Sequence, residues 1–183
     1  MEGWVIIYMD DILVFSKNRM EHQKQVERIL EKLHQHQLSL KAEKCYFKKE
    51  EIEFLGLIIT ETGIRMDPHK VKAIQEWPTP KTKRKLQQFL GFINFYRRFF
   101  GFAKIAKPLT KLTGNNNWNW TEIQQTAFEE LKKEVTSERT LIIPQPGKPF
   151  RMEMDASNFA VAAILSQEDN EGRWRLVAFM SKT

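Results

Sequence analysis

Tyr8-Met9-Asp10-Asp11 places two adjacent carboxylates between two short β-branched runs, Val5-Ile6-Ile7-Tyr8 and Ile12-Leu13-Val14-Phe15. The runs read as two strands with the Asp pair at the crossing. On a straight strand neighbouring side chains diverge to opposite faces, whereas a tight hairpin lets both carboxylates project from one end of the ribbon. Like charges held that close repel unless a cation sits between them or one takes a proton. Hard oxygen ligands of this kind suit Mg²⁺, which takes a few carboxylates together with substrate phosphates. An Asp-rich turn is also a common structural feature, because Asp hydrogen-bonds its own backbone. The pair alone leaves both readings open.

The elements that must position this pair form a mixed pattern of helices and strands. Asn18 followed by Glu21 resembles a capping box, and Val26, Ile29, Leu30 and Leu33 recur at helical spacing, predicting a helix that runs to Leu38. Lys44-Cys45-Tyr46-Phe47 and residues 52–59 read as strands, the second closed by Thr62-Gly63. Gly56 inside that pattern points to a bulge or a close backbone approach. Asp67-Pro68 opens a helix whose Val71, Ile74 and Trp77 share a face, and Pro78 and Pro80 end it. A second helix is expected from Thr82, with Leu86, Phe89, Leu90, Ile93, Tyr96 and Phe100 as its apolar stripe. Gly91 falls inside it, where glycine costs about 1 kcal/mol relative to alanine. Such a cost points to something close to the backbone, either a packed helix or a ligand.

Lys107-Pro108 reads as the start of a short helix, residues 114–117 as a polar loop, and Thr121 with Gln124 as another capping box. Pro144, Pro146, Gly147 and Pro149 form a hinge-like candidate domain boundary. Beyond it, residues 150–154 alternate as a strand running into Asp155-Ala156-Ser157. Residues 160–166 and 174–179 read as two further strands, giving a meander with nothing to cover its apolar face.

With 42% hydrophobic residues, 13 Phe and 5 Trp, the chain has the material for a core. Residues 69–111 hold eleven Lys and Arg against the single acid Glu76, a local charge of +10; since the whole chain carries +6, the remainder is acidic at −4. A localised cationic block is the footprint of polyanion binding, with a solvated helix face as the alternative. The one cysteine, Cys45, excludes an internal disulfide and a cysteine zinc cluster, and its neighbours Tyr46 and Phe47 suggest a core thiol. No apolar run is long enough to span a bilayer and no secretory leader pattern starts the chain. An intracellular protein of the cytoplasm or nucleus, with no membrane partner, is expected.

The motifs occur in a fixed order: Tyr-Met-Asp-Asp-Ile-Leu-Val-Phe-Ser, Phe54-Leu55-Gly56, Trp77-Pro78, Phe89-Leu90-Gly91, Tyr96-Arg97-Arg98-Phe99, Ala106-Lys107-Pro108-Leu109, Trp118-Asn119-Trp120, Ala127-Phe128 and Met154-Asp155-Ala156-Ser157. In that order they resemble the reverse transcriptase and RNase H of gypsy-type LTR retrotransposons over essentially the whole chain. The resemblance implies an α+β fold. The C-terminal part of a right-hand polymerase palm would occupy 1–66, a helical thumb 67–104, an α/β connection 105–149 and the first strands of an RNase H-like domain 150–183. It also implies an RNA-directed DNA polymerase in which two divalent ions, Mg²⁺ or Mn²⁺, align a primer 3′-hydroxyl with a deoxynucleoside triphosphate. The associated RNase H would cleave RNA in RNA/DNA hybrids.

By this resemblance Asp10 corresponds to a catalytic metal ligand and Asp11 to the second, less direct carboxylate. Met9 lies under the primer terminus and Tyr8 supports the turn. Leu55 and Gly56 belong to a hairpin that grips the primer. The helix with Gly91 tracks the minor groove of an RNA/DNA hybrid or DNA duplex. Gln88, Asn94 and the cations Lys83, Arg84, Lys85, Arg97 and Arg98 serve that duplex, which phosphate contacts hold without reading its sequence. Asp155 corresponds to the first carboxylate, also a metal ligand, of the RNase H site.

In the family a third palm carboxylate comes from a strand upstream of the hairpin, and the later RNase H acids would lie beyond Thr183. Little or no polymerase or RNase H activity is therefore expected of this chain alone. The competing expectations are a non-catalytic nucleic-acid-binding remnant, and a product whose exposed sheet edges make it aggregate.

Overall fold

The computed structural model describes residues 3–16, 18–115, 117–137, 139–156 and 161–182. The chain forms two compact units, Met1–Phe54 and Leu55–Thr183.

In the first unit β1 (Val5–Tyr8) and β2 (Asp11–Val14) form an antiparallel hairpin in which Val5 faces Val14 and Tyr8 faces Asp11. Helix α1 (Arg19–Gln35) follows, and the Asn18 side chain accepts from the Glu21 backbone N–H at 2.9 Å. Gln25 is the buried residue of this helix. Its amide accepts from the Ser16 hydroxyl and donates to Glu21 at 3.2 Å, which satisfies a polar group inside. The helix stops short of Leu38 because Gln37 turns to φ +56, and the N–H groups of Leu38 and Gln37 cap the carbonyls of Leu33 and His34. This bonding is that of a Schellman motif. The strand expected at 44–47 is replaced by a 3₁₀ turn, Ala42–Lys44. Ala, Glu and Lys are helix formers, and Tyr46 and Phe47 stay exposed. Cys45 is half-buried rather than a core thiol, and its Sγ donates to the Lys41 carbonyl at 3.3 Å. The unit ends with β3 (Glu51–Phe54).

The second unit opens on Leu55 and Gly56, with φ +52 and +74, so the long strand expected over 52–59 is broken by a turn of the type I′ sign pattern. β4 (Leu57–Thr60) pairs antiparallel with β5 (Gly63–Met66), an element absent from the sequence expectations. A Cβ on Gly63 would lie 2.2 Å from the Leu141 carbonyl oxygen, and only glycine admits that approach. The contact lets Ile64 and Leu141 exchange backbone hydrogen bonds of 2.6 and 2.8 Å.

Helix α2 (Pro68–Gln75) has Asp67 as its N-cap and Pro68 in its first turn, as expected. Helix α3 (Lys83–Asn94) is capped by Thr82 and buries Leu86, Phe89 and Ile93. It ends earlier than the apolar stripe suggests. Tyr96, Phe99 and Phe100 reach the core from a following 3₁₀ turn, Arg97–Phe99. Helix α4 (Phe102–Thr113) starts five residues before the expected Lys107 and carries Pro108 inside it. An internal proline costs about 3 kcal/mol. Burial of Ala103, Ala106, Leu109 and Leu112 along one face offsets that cost. Helix α5 (Glu122–Val135) begins with the expected Thr121–Gln124 capping box. The helices meet around Phe89 and Phe128, whose ring centroids are 4.5 Å apart, with Trp77 and Trp120 against them at 5.8 and 6.0 Å. Thr121→Ala removes the cap from α5 and is expected to lower stability by about 1 kcal/mol. A reduced urea midpoint at unchanged slope would register it.

β6 (Phe150–Ala156), β7 (Val161–Glu168) and β8 (Trp174–Lys182) form an antiparallel meander in that order. Ser157 and Ala160, included in the sequence expectations, lie outside the described residues. One face of the meander is covered, contrary to expectation. The Ser181 hydroxyl accepts from the Ala103 N–H at 2.9 Å, Leu176 joins the helical core, and Arg139 lies 5.5 Å from the Phe179 ring centroid. The proline-rich stretch at 144–149 is not where the compact units divide. Fully buried Gln167 of β7 accepts from the Gln145 N–H and donates to the carbonyls of Gln145 and Lys148, at 2.7, 3.0 and 3.1 Å, and so ties the stretch down. At the β7–β8 turn the Arg173 backbone N–H holds the Asp169 carboxyl below its ordinary range, and the Glu171 N–H assists. That support is present at neutral pH and fades as pH falls through the acid range.

Candidate functional site

The hairpin turn consists of Met9 and Asp10, and Asp11 opens β2 opposite Tyr8. Met9 has φ +53 and Asp10 is not in the positive-φ region, the sign pattern of a type II′ turn. Glycine normally takes the first central position there, so a non-glycine residue at it stores strain, and stored strain concentrates at functional sites. Met9 is also 85% exposed, so no burial explains its conformation. Asp10, Asp11 and Tyr8 are exposed too, and among the described residues neither carboxylate has a side-chain hydrogen bond or ion pair. Two hard donors on one open turn have the right chemistry for a divalent ion that retains water and phosphate ligands. Among the described residues no three His, Cys, Asp or Glu side chains gather into a metal-holding group.

Helix α3 supplies the second candidate surface. Arg84, Gln88, Gly91 and Phe95 recur at a spacing of three to four residues and form one row. All four are exposed, as are Lys85, Asn94 and Arg98. A Cβ on Gly91 would meet nothing within 4 Å. Packing against another helix of this unit therefore does not explain the glycine, and the space beside its backbone is open. Two of the expected cations are committed within the fold. Lys83 Nζ donates to the Gly114 carbonyl at 2.7 Å, closing the end of α4. The Arg97 guanidinium donates to the Ser181 carbonyl of β8 and, at 3.5 Å, to Asn94. Arg84, Lys85 and Arg98 have no such ties among the described residues.

Gly56 sits against the end of this helix. A Cβ there would lie 3.8 Å from the Phe95 ring and 3.9 Å from the Tyr96 hydroxyl, which donates to the Gly56 carbonyl at 3.4 Å. The Leu55-Gly56 turn and the row on α3 are thus joined through Phe95, a residue the sequence reading passed over. Its signal was an aromatic side chain off the apolar stripe and in phase with Gln88 and Gly91. Asp155, near the end of β6, is exposed and has no side-chain hydrogen bond or ion pair among the described residues. A cavity of about 760 Å³ opens between α4, α5 and β8, lined by Lys104, Ile105, Ile123, Glu130, Arg139 and Phe179 among others. None of the expected site residues lines it.

Family models for reverse transcriptase (RNA-dependent DNA polymerase) and for the RNase H-like domain found in reverse transcriptase match residues 2–59 and 120–183. The class is therefore a reverse transcriptase with an RNase H-like domain. The retrovirus-related Pol polyprotein from transposon opus of Drosophila melanogaster is 39% identical, with 97% of this chain and 19% of that polyprotein covered. For transposon gypsy of the same species the identity is 36%, covering 88% and 17%. The transposon Tf2-3 polyprotein of Schizosaccharomyces pombe is 34% identical, covering 98% and 14%. Among solved structures, a foamy viral protease-reverse transcriptase in complex with RNA/DNA hybrid matches with TM-score 0.80 at 27% identity, covering 97% of this chain and 24% of that one. The same kind of enzyme in complex with dsDNA matches with TM-score 0.83 at 27% identity, covering 98% and 38%. This chain belongs to the reverse transcriptase and RNase H family of gypsy-type retrotransposon Pol polyproteins. It spans less than a fifth of the length of these curated relatives.

Proposed function

We propose that the chain is the duplex-holding and primer-end portion of an RNA-directed DNA polymerase with RNase H. The observation that carries this reading is the exposed row on α3, in which Gly91 leaves the helix backbone open between Arg84 in the first turn and Arg98 in the 3₁₀ turn that follows the helix. A helix that offers backbone rather than side chain at its centre, with cations at its ends, can lie along a sugar–phosphate backbone and bind it without reading sequence. RNA/DNA hybrid and DNA duplex are the proposed partners, in keeping with the complexes of the structural relatives. The Leu55-Gly56 turn, next to Phe95, steadies the primer strand beside this helix.

Asp10 and Asp11 are proposed as carboxylate ligands, with Asp10 the more direct, and Met9 with Tyr8 shapes the turn under the primer terminus. When bound there, a pair of Mg²⁺ or Mn²⁺ ions would neutralise phosphate charge as a deoxynucleoside triphosphate is added. Asp155 takes the equivalent part for cleavage of the RNA strand. Residues 1–66, 67–104, 105–149 and 150–183 are proposed as palm part, thumb, connection and RNase H part. Because no three acidic or metal-binding side chains gather among the described residues, the chain alone is proposed to be weakly active or inactive. The same observation favours a second reading, a nucleic-acid-binding remnant without catalysis.

Gly91→Ala tests the carrying observation through two effects of opposite sign. Alanine relieves a helix-interior glycine into open space, so stability should rise by about 0.5–1 kcal/mol. Affinity for template–primer duplex should fall at the same time, because the new methyl stands where a backbone approaches. Thermal unfolding and fluorescence anisotropy read the two effects separately. Unchanged or improved duplex affinity would overturn the proposal.

A further inference from the structure

Residues that face one another across an antiparallel pair point to the same side of the sheet. Ala162 of β7 faces Asp155 of β6 and also Ser181 of β8, so Asp155 and Ser181 are the two ends of one cross-strand row. Two interstrand spacings, about 10 Å, separate their backbones. Ile164 likewise joins Glu153 to Phe179 in the next row on that face. Both rows are exposed at β6 and held at β8. Ser181 is 3% exposed; its hydroxyl accepts from the Ala103 N–H at 2.9 Å and its carbonyl accepts from the Arg97 guanidinium. Phe179 lies against the Arg139 guanidinium, which donates to the Phe99 carbonyl at 3.2 Å and pairs with Glu134 at 2.8 Å. Both rows are therefore tied to one short segment, the 3₁₀ turn Arg97–Phe99 and the start of α4. That segment follows α3 closely, and its Phe99 and Phe100 are buried in the helical core.

We propose that Ser181 and Arg139 are positioning residues that lock α3 and the Asp155 row into one frame, so that a hybrid gripped along α3 lies at a single offset from Asp155. The inference rests on the reading of α3 as the duplex-binding helix and of Asp155 as a carboxylate for RNA cleavage. Parts of a chain joined by a linker alone move relative to one another by default. Two features oppose such motion here. Sliding the sheet against the turn would strip the Ala103 N–H and the Phe99 carbonyl of their partners at buried residues, and a buried polar group left unpaired costs more than an ordinary hydrogen bond contributes. The ties also act on two neighbouring rows, so the rotation that one tie would allow is blocked by the other. Within the turn Arg97 reaches the sheet while Arg98 stays exposed for a phosphate, so the same three residues serve both the sheet and the duplex.

Double electron–electron resonance between spin labels at Gln87→Cys on α3 and Glu153→Cys beside Asp155, in a Cys45→Ser background of the full chain, reads this spacing; both labelled positions are exposed. One narrow distance peak is expected, unchanged when an RNA/DNA hybrid is bound. Ser181→Ala combined with Arg139→Met should broaden or split the peak in protein that still unfolds cooperatively. Hybrid affinity, followed by fluorescence anisotropy, should stay as it was, since neither side chain belongs to the row on α3. Arg139→Lys keeps a cationic donor for the Phe99 carbonyl and should preserve the narrow peak. A loss of stability alone would lower the unfolding midpoint without moving the distances, so peak shape separates positioning from mere support.

A broad peak in the labelled parent, a shift on binding hybrid, or a narrow peak in the folded double variant would overturn the proposal. Should the double variant fail to fold, Ser181→Ala and Arg139→Met singly must each broaden the peak, and narrow peaks in both count against the tie. A narrow peak that responds to the variants, in a chain that binds no hybrid, overturns instead the duplex reading of α3, and so the two failures are told apart.

Discussion

Purified alone, the 183-residue chain is expected to extend a primer no faster than background, and supplying the rest of a related Pol polymerase region in trans is expected to restore synthesis that depends on Asp10. In that reconstituted enzyme Asp10→Asn should lower single-turnover extension by about a thousandfold. Asn preserves the shape of the turn and removes the charge. The expected loss would then be that of a carboxylate proposed to hold a divalent ion, a contribution of several kcal/mol to the transition state. At about 1.4 kcal/mol per decade, roughly 4 kcal/mol corresponds to three decades. Asp11→Asn, at the start of β2 opposite Tyr8, should cost less, because the role proposed for it is the less direct one.

Neither change should weaken duplex binding. Removing negative charge beside a polyanion leaves affinity unchanged or slightly raised. Binding and chemistry therefore separate in one pair of variants. Clear Asp10-dependent synthesis by the isolated chain would contradict its proposed inactivity. Complementation that restores nothing, while duplex binding persists, would move the assignment to the non-catalytic remnant.

Sequence legibility varied with how local the controlling interaction is. The Asp pair at a hairpin crossing, the Asp67-Pro68 start of α2 and the Thr121–Gln124 box of α5 were readable because each is settled within four residues. What was missed depends on distant partners. β5 exists because Ile64 bonds to Leu141 across a gap that only Gly63 leaves open. The proline-rich stretch resembles a hinge until Gln167, from β7, binds two of its carbonyls. The start of α4 was misplaced for a related reason. Proline at the first helical turn is a local preference, and the buried face from Ala103 to Leu112 outweighed it.

The same distinction governs the cationic block, where charge could be counted in the sequence but availability could not. Arg84, Lys85 and Arg98 are exposed and untied among the described residues, whereas Lys83 holds the Gly114 carbonyl and Arg97 the Ser181 carbonyl. Reversing the three untied cations together, Arg84→Glu, Lys85→Glu and Arg98→Glu, is expected to cut template–primer affinity on the order of a hundredfold at low salt. Each phosphate contact contributes about 0.9 to the slope of log K against log salt, so the slope should flatten by about 2.7.

Lys83→Glu should behave differently. It breaks a bond between α3 and the end of α4, so the unfolding midpoint should fall while the salt slope stays close to that of the unmodified chain. Fluorescence anisotropy across a salt series, paired with thermal unfolding, distinguishes the two patterns. If the triple variant keeps the full slope, phosphates are not held by this face of α3. If Lys83→Glu flattens the slope as much as any of the three, its bond to Gly114 gives way when a duplex is bound, and the helix grips with four cations rather than three.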